Sequence, residues 1–136
     1  DGYGFERDDV LGLANQLGSR LVVVAGDTHN AWASQLTTGE GVVAGVEFAT
    51  ASVSSPGFEN LLGSDVAEFF AAAVVDIVED LRYVNFVSRG YMTVRFSDSE
   101  VISSWRYVTD VAQPEYSLKA EEARDVSVSW DDLLLD

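Results

Sequence analysis

The sequence predicts a mixed α/β fold, on three observations. A helical stretch, Glu6 to Leu17, runs almost directly into an unbroken apolar segment, Leu21-Val22-Val23-Val24-Ala25. A second and longer helical stretch spans Asp65 to about Leu81. Two strand-like segments, Gly90 to Phe96 and Val101 to Val108, are separated only by Ser97-Asp98-Ser99-Glu100. Helix, short turn and buried strand form one αβ unit, while strands joined by so short a turn pair antiparallel.

In the first helix Val10, Ala14 and Leu17 share a face, flanked by Leu11 and Leu13. Asp8 and Asp9 lie in its first turn, where carboxylates suit the positive end of the helix dipole, and Gly18 stops it. Leu21 to Ala25 is apolar without alternation, the pattern of a strand buried on both faces. A second strand is expected from Val42 to Phe48, with a helical turn at Asn30 to Leu36 and a hairpin-like loop at Thr37 to Gly41. Ala49 to Gly57 is a loop of small residues. In the long helix Asp65 and Glu68 are placed for a capping box, and Val66, Phe69, Phe70, Ala73, Ile77 and Leu81 form the apolar stripe. The expected organisation is one domain portion over residues 1–113 and a loosely attached acidic tail over 114–136. In that tail Val126, Val128, Trp130 and Leu133 to Leu135 are possible docking points.

Composition narrows the function. The chain of 136 residues carries a formal net charge of −15, with one lysine, Lys119, among its eight basic side chains. Nucleic-acid backbones and anionic membranes need cationic patches, so neither is an expected partner. An acidic surface of this kind suits saline surroundings and makes the fold sensitive to low salt. No apolar run approaches the ~20 residues of a membrane span; Phe69 to Val75 is followed by Asp76, Glu79 and Asp80. The absence of cysteine excludes disulfides, thiolate nucleophiles and Cys-ligated zinc. The opening Asp1-Gly2-Tyr3-Gly4-Phe5, without Met, reads as the middle of a longer protein.

The most informative local pattern is VVVAGDTHNAW, Val22 to Trp32. Asp27 and His29 stand just past the end of a buried strand, where ligand groups gather in open α/β sheets, and Gly26 lets the backbone turn away sharply. A carboxylate and an imidazole there can supply oxygen and nitrogen to one metal ion or bridge two. Spacing alone leaves two other readings open: a hydrogen-bonded structural histidine, and an aspartate capping a helix. Two donors are also fewer than the three protein ligands of a catalytic metal site. Other chemistries lack their motifs. His29 is the only histidine, and there is no GxSxG elbow, Walker loop or GxGxxG fingerprint. Ser52, Ser54 and Ser55 read as a tight turn ending in Pro56-Gly57. Glu47, inside an apolar strand, either faces outward or pairs with an arginine.

Four stretches, taken in order, resemble the last third of the PhoD-like metallophosphatases. They are Asp1-Gly2-Tyr3 with Glu6-Arg7 and its helix; VVVAGDTHNAW, a strand ending in Gly-Asp-x-His with a nearby Trp; VEFATASVSSPG, Val46 to Gly57; and LRYVNFVSRGYMTVRF, Leu81 to Phe96. In the third stretch Ala51 stands where that family usually has Pro. The resemblance implies part of a metallophosphoesterase-type β-sandwich flanked by helices, and hydrolysis of phosphate mono- or diesters in the periplasm or outside the cell. It implies calcium and iron as cofactors, with Asp27 and His29 as metal ligands and no further catalytic residue in this chain. The remaining ligands would lie upstream, so the upstream half of the domain becomes a necessary partner. Asn30 and Trp32 are expected to support the loop. A non-catalytic interaction module, or a free-standing binding domain that attracts cations, are the other function classes this sequence allows.

Overall fold

The computed structural model describes residues 3–135; Asp1 and Gly2, quoted above for the first matching stretch, lie outside the described residues. In chain order the elements are α1 (Gly4–Gln16), β1 (Leu21–Ala25), β2 (Ala31–Thr37), β3 (Val43–Ala49), α2 (Phe58–Leu62), α3 (Ser64–Ile77), β4 (Leu81–Asn85), β5 (Arg89–Phe96), β6 (Glu100–Val108), a 3₁₀ turn at Ala120–Glu122, and β7 (Arg124–Ser129). The strands form two sheets: a four-stranded mixed sheet in the order β1-β3-β2-β4 and a three-stranded antiparallel sheet in the order β5-β6-β7. The expected mixed α/β class, the sandwich and the antiparallel β5–β6 pair are all present.

The core lies between the sheets. The first sheet contributes Ala31, Ala33, Val46 and Phe48; the second contributes Val101, Trp105, Tyr107, Val126 and Val128. Small residues on β2 leave room for the Trp105 ring, which stands edge-on to Phe48 with centroids 5.9 Å apart. The Trp105 indole N–H donates to the Ala49 carbonyl at 2.8 Å, and the hydroxyls of Tyr83 and Tyr107 meet at 2.5 Å. These polar contacts tie the two layers and satisfy groups that would be costly to bury unpaired. Removal of a fully buried indole of this kind typically costs about 3–5 kcal/mol. On the other face of the first sheet Leu11 of α1 packs with Leu36, Ala44, Leu21 and Val23.

Several elements differ from the sequence reading. Asn30 to Leu36 is not a helical turn but the start of β2, where Ala31 and Ala33 face the core and Trp32 and Ser34 do not. The segment pairs with β3 on one side and β4 on the other, and its period of two is set by that pairing rather than by β-propensity. β1 is not buried on both faces. It pairs with β3 alone among the described residues, and Val24 is 58% exposed. The buried face of α1 turns on Leu11 and Ala14; Val10 and Leu17 are exposed.

α3 follows Gly63, whose φ of 82° only glycine adopts readily, and it has no side-chain cap, so the Asp65–Glu68 capping box does not form. It ends at Ile77 because Val78 is extended, and Leu81 opens β4 instead of closing the helix. Its stripe is only partly covered: Phe69 is 77% and Ile77 80% exposed, Phe70 stacks on Phe86, and Ala67, outside the stripe, is the buried residue. The segment after Pro114 is not loosely attached. β7 pairs with β6 along Arg124–Ser129. The buried Gln35 amide donates to the carbonyls of Gly45 and Leu133, each at 2.7 Å, and its oxygen accepts the Leu135 N–H at 3.1 Å.

Candidate functional site

β1 and β3 run parallel, Leu21 opposite Gly45 through Ala25 opposite Ala49, so the loops that follow them leave the sheet at the same end. The Thr50 N–H to Ala25 carbonyl bond, 2.9 Å, carries the ladder one residue further. The loop Gly26 to Asn30 and the loop Thr50 to Gly57 are thereby neighbours. β2 starts at the same end with Ala31, and the start of β5 joins them through the Gly90 N–H, which donates to the Ser52 carbonyl at 3.1 Å.

Asp27 is exposed and His29 half-buried on the first of these loops. His29 has φ 61°, the left-handed region that non-glycine residues seldom enter. Its N–H donates to the Gly26 carbonyl at 3.3 Å, closing the turn after β1. Its ring is fixed by the second loop: Nδ1 lies 2.9 Å from the Pro56 carbonyl oxygen. A carbonyl can only accept, so Nδ1 carries a proton, and in the neutral ring the lone pair is then on Nε2. Neutral imidazole of this tautomer, oriented by a backbone carbonyl, is the form in which histidine binds metal.

Asn30 is 1% exposed. Its amide donates to the Thr28 carbonyl at 2.6 Å, and its oxygen accepts the Phe58 N–H at 3.5 Å. Arg89, 7% exposed, donates from Nη1 to the carbonyls of His29 at 3.1 Å and Ser88 at 3.0 Å. Its Nη2 forms an ion pair with Glu59, although no acceptor is aligned with that nitrogen for a hydrogen bond. Glu59 also accepts the Gly57 N–H, 3.2 and 3.1 Å from its two oxygens. Burial alone would raise the Glu59 pKa, but the ion pair with the Arg89 guanidinium and the hydrogen bonds from the backbone hold it below the usual carboxylate value.

An exposed carboxylate and an oriented imidazole on one loop provide oxygen and nitrogen donors of the kind a hard or borderline metal ion takes. Among the described residues no group of three His, Asp or Glu side chains is gathered to hold a metal. The other two readings of the loop fare differently. Asp27 precedes β2 rather than a helix, so it caps none. His29 is hydrogen-bonded, but through one ring nitrogen only among the contacts found. Ser52 donates to the Ser55 carbonyl, as expected of a turn, and Glu47 accepts the Trp32 indole N–H at 3.1 Å rather than pairing with an arginine. Sequence reasoning assigned no role to Arg89 or Glu59. The available signal was an arginine at the mouth of a strand, immediately before a glycine.

The PhoD-like phosphatase profile matches residues 1–105. A solved chain described as the structure of PhoD superposes with a TM-score of 0.77 at 20% sequence identity. That superposition covers 100% of this chain and 26% of the solved one, so the chain spans about a quarter of that relative's length. No curated protein matches significantly. The fold agrees with the solved relative and the profile match covers most of the sequence: the chain belongs to the PhoD-like phosphatase family.

Proposed function

We propose that this chain supplies the late Gly-Asp-x-His motif of a metal-dependent phosphoesterase that hydrolyses phosphate mono- or diesters. In this reading residues 1–113 form the C-terminal portion of the catalytic domain and 114–136 an acidic extension. Asp27 and His29 bind the metal ions, calcium and iron by family resemblance, and the enzyme works in the periplasm or outside the cell. The observation that carries the reading is the His29 Nδ1–Pro56 contact, which leaves Nε2 free on the same loop as an exposed Asp27 in a chain of this family.

The cations, when bound, supply charge neutralisation for the phosphoryl oxygens and a nucleophile derived from water at neutral pH. The residues of this chain hold them and set their position. Asp27 contributes negative charge, and His29 contributes a neutral donor whose orientation is set by Pro56. Two donors do not complete such a site, so the isolated chain is inactive, and the upstream half of the domain brings the other ligands. The open edge of β1 and the outward apolar face of α3 are the surfaces available to that half.

Chromogenic phosphate mono- and diesters, assayed with calcium and iron added, test this reading. The chain alone should show no turnover. The chain joined to its upstream half should show activity that Asp27→Ala and His29→Ala abolish. Turnover by the chain alone that is lost in His29→Ala would overturn the missing-half argument. A non-catalytic module is the second reading, favoured by the absence of a third clustered ligand among the described residues. It gains if the joined protein folds and stays inactive.

A further inference from the structure

We propose that Arg89, anchored by Glu59, is the positioning residue of the candidate centre: it holds His29 in its left-handed conformation and thereby selects the ring nitrogen offered to the metal. The proposal rests on reading His29 as a ligand and goes beyond it by naming what sets that ligand's geometry.

A non-glycine residue at φ 61° persists only where its surroundings over-determine it. The contact from the His29 N–H to Gly26 is long, at 3.3 Å, and cannot do this alone. Two stronger ties remain. The His29 carbonyl accepts from Arg89 Nη1 at 3.1 Å, and the His29 ring is held by the Pro56 carbonyl at 2.9 Å. Both lead to the same ion pair. Glu59 binds the Arg89 guanidinium on one side and the Gly57 N–H on the other, and Gly57 directly follows Pro56. The main chain and the ring of His29 are therefore gripped from one place.

The space there admits nothing more. A Cβ on Gly57 would lie 2.7 Å from Arg89 Nη2, 2.7 Å from Asn30 Oδ1 and 3.0 Å from Glu59 Oε2. Lysine is a poor substitute for Arg89, because it lacks the planar fork that points Nη1 at two backbone carbonyls and Nη2 at Glu59.

His29 is the only histidine, so a long-range proton–nitrogen NMR spectrum of the full chain shows a single ring pattern. The wild-type chain should show protonated Nδ1 and unprotonated Nε2, with a His29 backbone coupling of the left-handed type. Two variants test the grip. Glu59→Gln replaces one acceptor oxygen with an N–H donor, and Gly57→Ala inserts a methyl group among the three polar atoms. In each, the ring pattern should average toward both tautomers and the coupling toward a mixture, and Arg89→Lys should behave as they do. Mn²⁺ binding, read from broadening of the Asp27 and His29 signals, should weaken by about 10- to 100-fold in the variants. Folded Glu59→Gln and Gly57→Ala chains that keep the wild-type ring pattern and coupling would overturn the proposal. The expected ring state in the wild-type chain, lost in the variants, together with no Mn²⁺ broadening even when the chain is joined to its upstream half, would uphold the grip and sink the metal reading instead.

Discussion

The His29 imidazole and the Pro56 carbonyl, 27 positions apart in sequence, are joined at 2.9 Å across two loops at one end of the sheet. The parallel pairing of β1 with β3 makes this possible, since it brings both loops out on the same side. If the ring matters for chemistry and the left-handed backbone only for its delivery, the two can be separated by substitution. His29→Gly removes a side-chain hydrogen bond worth about 1 kcal/mol and relieves a conformation that costs about 1–3 kcal/mol, against the added flexibility of glycine. Its stability in urea should stay within about 1 kcal/mol of wild type, while the joined enzyme loses its activity. His29→Val keeps the strain without the bond and should be clearly less stable.

Arg89–Glu59 is the most buried ion pair among the described residues. Arg89→Ala leaves Glu59 partly buried without its guanidinium and frees the carbonyls of His29 and Ser88. Breaking a buried pair from one side costs about 3–5 kcal/mol. The joint substitution Arg89→Met with Glu59→Leu should cost less than Arg89→Ala alone, since no charge is left stranded. A double-mutant cycle in denaturant measures the difference; equal losses would show that packing, not charge, sets the effect.

Acid should loosen the structure in a defined direction. Glu59 and Glu122 are both held below their ordinary value of 4.5; burial opposes the shift in each, and it is outweighed by the Arg89 ion pair and backbone hydrogen bonds at Glu59 and by hydrogen bonds from Lys119 and Ser88 at Glu122. A carboxylate with a lowered folded-state pKa contributes stability that is fully present above its unfolded value and is lost as pH falls through the folded one. Stability should therefore hold down to about pH 4.5 and decline below it. In Arg89→Met the part due to Glu59 should vanish, and the decline should be shallower. Thermal melts across pH 3 to 7 would record both slopes.

Much of this architecture could be read from the residues. β5 and β6 announce themselves because alternation and a four-residue turn are local signals. The Gly-Asp-x-His loop was found because glycine, carboxylate and imidazole follow a run of valines. β2 was hidden because Ala31-Trp32-Ala33-Ser34 has no strong preference, and of its two partners β4 lies far along the chain while β3 follows only after residues 38–42. The α3 stripe was correctly periodic, yet Val66, Phe69 and Ile77 turn outward, since periodicity finds a face without saying what covers it. The role of Arg89 was hidden for a similar reason. It depends on Glu59, Gly57 and His29, which only the fold brings together.

The exposed face of α3 should govern association rather than folding. Phe69→Lys and Ile77→Lys change side chains that are mostly in solvent, so each should alter stability by no more than about 0.5 kcal/mol. Both should reduce self-association of the chain, as seen in sedimentation at rising concentration. Where the upstream half is present, the same substitutions should weaken its docking. Unchanged association in both settings would remove this face from consideration.

With a net charge of −15, self-repulsion should weaken the compact state at low ionic strength. The midpoint of thermal unfolding should rise by about 4 °C or more between about 0.01 M and about 0.5 M sodium chloride, equivalent to roughly 1 kcal/mol for a domain of this size. A midpoint indifferent to salt would show that the acidic groups lie too far apart, or are too well paired, to matter.

Gln35 gives the last residues of the chain a part in the first sheet. Its buried amide closes three bonds at once, to Gly45, Leu133 and Leu135. Trimming residues 133–135 would leave a β2 side chain with unanswered polar atoms inside the protein, a cost of about 1–3 kcal/mol for each group stranded. An exopeptidase digesting inward from the carboxyl end should therefore stall near this latch and proceed only as often as the latch opens. Its rate then becomes a clock for how often the contacts of a β2 side chain, almost a hundred residues away in sequence, come apart.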